Sequence, residues 1–226
     1  DGQVLTSGGA GAAPAWETVA GGLTGKVEGT NFTNSLLVGH STTGTLDAAT
    51  GNTGVGITAM DAITSADNGT YVGFGAGTAV TTGAENTFIG AYCGVTTATT
   101  AKNTGVGVSA LQDTTGIGNT AVGWNASSQN SSGNYNTSVG DEALEGVDGN
   151  ANSFNTAVGF KSNELITTGG YNVTLGAYAG DNITTGSGNV VIGNSNVSSA
   201  TGDDQLSISD GEDGSVVWMT GDSSAN

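Results

Sequence analysis

Aliphatic residues return along this chain at a nearly fixed step. The phrase NTAVG at 119–123 recurs unchanged at 155–159, and close variants stand at 52–56, 86–90, 103–107, 136–140, 172–176 and 189–193. Its last glycine falls at 39, 56, 73, 90, 107, 123, 140, 159, 176 and 193, at intervals of 17, 17, 17, 17, 16, 17, 19, 17 and 17 residues. Such regularity predicts a solenoid, each period being one coil stacked on the last. A 17-residue coil is too short for a helix pair and suits short strands joined by turns. The predicted class is therefore all-β, a parallel β-solenoid or β-roll of about ten coils. At ~4.8 Å per strand spacing, ten coils make a rod roughly 50 Å long.

Aligning the repeats as columns predicts which side chains face inward. One residue before the glycine stand Val38, Val55, Val72, Ile89, Val106, Val122, Val139, Val158, Leu175 and Ile192, all aliphatic and close in size. Three after it the residues are small: Ala59, Ala76, Cys93, Ala110, Ala126, Ala143, Ser162 and Ala179. A second, less pure apolar column runs seven after it, through Leu46, Ile63, Val80, Thr97, Thr114, Asn130, Val147, Ile166 and Ile183. A packed interior demands uniform size. The column from Val55 to Ile192 is accordingly assigned to the core, where an aspartate at Val122 would bury an unpaired charge. Two before the glycine the residues scatter (Gly54, Tyr71, Phe88, Gly105, Ala121, Ser138, Ala157), which assigns them to the outside.

Strand alternation puts the threonine of the phrase on the same side as the valine, and seven successive coils carry it, from Thr53 to Thr156. The preceding asparagine, present from Asn52 to Asn189, can form a hydrogen-bonded ladder along the axis or supply a left-handed corner. The recurring TTG (81–83, 114–116, 167–169, 184–186) is the natural opposite turn.

Composition then narrows the partners. The 226 residues include 41 Gly, one Pro, and three Lys and no Arg against 20 acidic residues, for a net charge of −17. An apolar share of 35% with that charge would ordinarily mean disorder, a prior that the repeat overrides. No basic patch exists to neutralise phosphates, so nucleic acid is excluded as a partner, and anionic membranes are unsuitable. No run of 18 apolar residues is present to span a bilayer. A lone rod this thin buries little surface, which points to an oligomer. The expected organisation is an N-terminal connector with a short strand at 1–30, the solenoid at 31–196, and a C-terminal β segment at 197–226 that begins a further unit. With no initiator methionine, a longer parent protein is expected.

The repeat N-T/S-x-V/I-G-x-x-A over 34–196 resembles the head repeat of trimeric autotransporter adhesins. The opening GQVLTSGGAGAAPAWETV at 2–19, with the longer phrase NTAVGWNAS, looks more like bacteriophage tail fibres. The resemblance implies a left-handed parallel β-roll assembled as a homotrimer, a shaft or receptor-contact segment of a virion fibre without catalysis. It implies an extracellular particle whose partners are copies of itself, other virion proteins and host-surface polysaccharide. Adhesin heads use a shorter repeat, which leaves handedness and coil shape open. An adhesin head is the alternative reading, and a polysaccharide depolymerase spike the third.

Hexapeptides such as VGVSAL match acyltransferase β-helices, but only one fits each coil, and the base those enzymes need has a single candidate, His40. A depolymerase needs paired carboxylates flanking a sugar, whereas Asp141 and Glu142 are adjacent and diverge. Asp203, Asp204, Asp210, Glu212 and Asp213 are the residues a Ca²⁺ ion would use, without EF-hand spacing. Ice binding would need Thr-x-Thr facing out, against the Thr-x-Val with a core valine assigned above. Exposed aromatics are the contact candidates for a glycan or a second subunit: Tyr135, Phe154 and Tyr171 five before the glycine, and Trp124 and Phe160 immediately after it. A two-residue insertion at 145–154 lies beside them. Otherwise no catalytic residue, cofactor or metal site is assigned.

Overall fold

The computed structural model describes residues 3–6, 15–18, 25–29, 31–39, 43–147 and 149–223. These are all-β. A hairpin pairs β1 (Gln3–Thr6) with β2 (Ala15–Thr18). A 14-stranded sheet starts at β3 (Gly25–Gly29), antiparallel to β4 (Phe32–Val38), with β5 (Ala49–Thr50) beside it. One three-residue strand per coil follows, every one parallel to the last and in register: β6 (Thr53–Val55), β7 (Thr70–Val72), β8 (Thr87–Ile89), β9 (Thr104–Val106), β10 (Thr120–Val122), β11 (Thr137–Val139), β12 (Thr156–Val158), β13 (Val173–Leu175) and β14 (Val190–Ile192). Val122 sits opposite Val106 on one side and Val139 on the other. The chain is a parallel β-solenoid of about ten turns. The C-terminal segment continues this sheet through β15 (Leu206–Ser209), parallel to β14, and β16 (Val217–Gly221), antiparallel to β15. His40 lies outside the described residues, as does much of the opening motif.

The phrase recurs because its asparagine joins neighbouring coils and its glycine lets them approach. The asparagine is the ladder: Asn103 Oδ1 accepts the Asn119 N–H at 2.9 Å, Asn119 Oδ1 that of Asn136 at 2.9 Å, and Asn136 Oδ1 that of Asn155 at 2.9 Å. The series continues through Asn172 and Asn189 to Gln205. Each amide also ties down the opposite turn, as Asn119 Nδ2 does by donating to Gly133 O at 2.8 Å. The left-handed corner falls on the residue before the asparagine, for example Glu85 (φ 60°) and Tyr135 (φ 55°), and not on the asparagine itself. The final glycine is fixed by geometry: Gly123 has φ +142°, and a Cβ there would collide with the Gly140 carbonyl of the next coil.

The interior is built from the opposite phase of the strand to the one expected. Tyr71, Phe88, Ala121, Ser138, Ala157, Thr174 and Val191, two before the glycine, are buried. Of the column assigned to the core, Val55, Ile89, Val122, Val139, Leu175 and Ile192 are 37–48% exposed, and Val72, Val106 and Val158 are half-buried. The assignment failed because the interior does not hold size constant at each position. Over 54–111 it pairs a large residue with a glycine across two positions six residues apart. Gly54 leaves room for Met60, whereas the rings of Tyr71 and Phe88 fill the space a side chain at Gly77 or Gly94 would need. The small column three after the glycine is fully buried as expected. So is the column seven after it from Ile63 to Ile183, except Val147, which the insertion turns outward.

Candidate functional site

With the phase reversed, one long face of the coil carries the threonines and aliphatics outward together. The aliphatic column extends past the repeats, since Ile192 pairs with Ile208 and Ile208 with Met219. Its partner column runs from Leu36 through the threonines to Val173 and Val190. Inside a coil, a column kept aliphatic would need no further reason. On the outside, water tolerates any residue, so a column that stays aliphatic through ten coils makes a continuous apolar stripe.

The five contact candidates separate into two places. Tyr135, Phe154 and Tyr171 form a ladder, with ring centroids 5.4 and 4.9 Å apart and planes 20° and 8° from parallel. All three occupy the left-handed corner, at φ 55–61°. Their ring faces cover one another, and Tyr135 also covers Gly118, so the stack offers solvent mainly ring edges and the hydroxyls of Tyr135 and Tyr171. Trp124 and Phe160 lie around the glycine corner, beside the aliphatic column. Phe160 meets Tyr178 edge to face at 5.2 Å, as Phe74 meets Tyr92 one half of the rod earlier. Ile57, Phe74 and Val108 share the position of Trp124 and Phe160 and are also exposed, a column that the sequence alone hides because Ala91, Asp141 and Ala177 interrupt it.

The acidic residues sort differently from the sequence expectation. Asp203, Asp210 and Asp213 each cap a backbone N–H, of Ser187 at 2.7 Å, Val216 at 3.3 Å and Ser215 at 2.9 Å. The bonds from Ser215 hold the Asp213 carboxyl below its ordinary pKa. Among the described residues, the acids that do converge are Glu142, Glu145 and Glu164, with oxygens within 4.8 Å of one another. Lys161 bridges two of them, at 2.7 Å to Glu142 and 2.8 Å to Glu164. Glu145 is left over, and burial followed by the neighbouring Glu142 and Glu164 charges raises its pKa. It also lines a shallow groove of about 390 Å³ with Gln112, Asp113, Asn125, Ser128 and Gln129. Asp141, the adjacent acid, points outward and takes no part in that cluster. Cys93 sits in the small buried column, where burial pushes its thiol up to about 12 and leaves it protonated and unreactive.

No protein family, curated protein or solved structure matches the chain.

Proposed function

We propose that the chain is a structural segment of a bacteriophage tail fibre, a left-handed β-roll that assembles as a homotrimeric shaft on the virion and touches the host surface. The observation that carries the reading is the outward Thr/Val and aliphatic face, continuous over the whole solenoid. That face is about 10 Å wide and ~50 Å long, or roughly 500 Å². Its burial is worth at most about 12 kcal/mol at ~25 cal/mol/Å². Because association itself costs ~4–15 kcal/mol, the face is an adequate assembly surface only when the subunits bury it fully. The opening motif at 2–19 supports a viral particle over the adhesin head that the repeat alone would fit equally well.

As a shaft, the chain works mechanically. The Asn ladder and the paired coils make it stiff along its axis, and identical weak contacts on several fibres gain avidity together. The Tyr135–Phe154–Tyr171 ladder is the contact face for host polysaccharide, through hydroxyls and ring edges. No reaction is assigned to it.

Sedimentation of the intact chain tests the assembly. A trimer is expected at micromolar concentration, and Val122→Asp with Val139→Asp should give folded monomers, because these side chains face solvent in the single coil. A monomeric unsubstituted chain would overturn the reading. Tyr171→Ala should reduce retention on host-surface polysaccharide with the trimer unchanged; unaltered retention would remove the ladder as contact face. A second reading follows from the outward phase of the valines, which removes the premise that set ice binding aside. Thermal hysteresis from a monomeric chain would favour it.

A further inference from the structure

We infer that each chain is a wedge whose corner glycines line a three-fold axis, so that the outward aliphatic column of one copy packs on a different column of the next. The occupant of the face is a second copy of this chain, and the inference rests on the trimeric reading above.

The second column is the one immediately after the glycine. Ile57, Phe74, Val108, Trp124 and Phe160 are 39–58% exposed there. The strands end at the aliphatic residue before the glycine, and the glycines between the columns have φ of 132–142°. The two columns therefore lie on different faces of the coil, one on each side of a sharp edge. A closed ring of three needs two unlike surfaces on every subunit, whereas a two-fold dimer needs one surface that matches itself. Pairing the aliphatic column with itself would cover that column and leave Trp124, Phe74 and Ile57 wet. Ring closure covers both.

Size and register agree. Two stripes of roughly 500 Å² make each contact about 1,000 Å², the least a specific interface needs. Three-fold closure itself puts equal coils at equal heights, which makes the ring parallel and in register. Asp141 is the one acid in the second column over 57–177, so it is the point at which the contact is weakest.

Sedimentation of the full chain with two variants tests the pairing. Val122→Glu/Val139→Glu damages the first column, and Trp124→Glu/Phe160→Glu damages the second. Each alone should abolish the trimer. Mixed in equal amounts, they should form a 1:1 dimer, because the intact first column of one still fits the intact second column of the other. A trimer that survives the Trp124/Phe160 pair overturns the inference, as does a mixture that stays monomeric. A monomeric unsubstituted chain would instead defeat the trimeric reading itself. Should either variant lose its β circular dichroism, chains carrying Val122→Cys and Trp124→Cys are produced together and oxidised. Disulfides between unlike chains are expected, and links between like chains only would overturn the wedge; the native Cys93 is buried and does not compete. Asp141→Val should lower the concentration at half-assembly about ten-fold, and no shift would place that column outside the contact.

Discussion

The coils at 53–111 and those at 135–180 share one backbone and fill it in opposite ways. In the first group two aromatics are inside, although Phe74 and Tyr92 stay exposed: Tyr71 and Phe88 are fully buried, 6.0 Å apart, in a continuous apolar cluster with Met60, Cys93 and Leu111. In the second group they are outside, in the Tyr135–Phe154–Tyr171 ladder, and the interior turns polar. Ser127 bonds Ser138 at 2.9 Å and Ser162 bonds Thr174 at 2.7 Å, while neither amide atom of the buried Asn163 has a partner. The apolar core is accordingly split, with a second cluster from Leu144 to Val197. The backbone does not depend on which filling it receives. It depends on the corners, which both groups share, on the ladder, which Gly69 interrupts once in the first group, and on each filling being locally complete.

The comparison is sharpest for one substitution made in both places. Phe88→Ala should cost about 3–5 kcal/mol in urea unfolding, since it opens a cavity in the closed coil. Phe154→Ala should cost about 1 kcal/mol or less, because only stacking of exposed rings is lost. If volume is shared between the two positions, adding Gly94→Leu to Phe88→Ala should recover about half of the loss; leucine already occupies the matching left-handed position at Leu111 (φ 54°). Equal losses at Phe88 and Phe154 would contradict the division. Next in size is Asn136→Ala, which orphans the Asn155 N–H and the Asn152 carbonyl. A loss of about 3 kcal/mol is expected by the same measurement. In the polar half, Asn163→Leu should stabilise by about 1 kcal/mol, since it replaces an unpartnered buried amide in the column that holds Leu144. Destabilisation there would mean that the amide is paired in solution.

The smallest effect concerns pH. Glu145 has its pKa raised in the folded chain, so ionising it costs stability as the pH rises from the ordinary carboxylate value through the raised one. Glu145→Gln should therefore raise the melting temperature slightly at neutral pH and leave it unchanged in acid, where the carboxyl is protonated in both states. Solvent screening keeps the gain small. A larger gain in acid than at neutrality would reverse the assignment.

Much of this was legible in the residues. The period gave the coil, the asparagine its ladder, and the small column at Ala59 to Ala179 its burial. The inside and outside of the strand were not. The aliphatic column looked like a core because it was uniform, yet it stands on the outer face. The true inner column looked like surface because it varied. Its signal was present in the pairs Gly54 with Met60, Tyr71 with Gly77, Phe88 with Gly94 and Gly105 with Leu111, each large residue matched by a small one six positions away. The acidic trio escaped because Glu142, Glu145 and Glu164 belong to two coils and meet only when these stack.

What the amino-acid sequence settled alone was the step and the asparagine hydrogen bonds between coils, because each depends on one residue type returning at one place. The direction of every strand side chain was settled only by closure of the coil. Alternation has two phases that differ by a single residue, and a slip of one exchanges the whole inner set for the outer. Which phase wins depends on the volume enclosed across the turn, a quantity no single column contains.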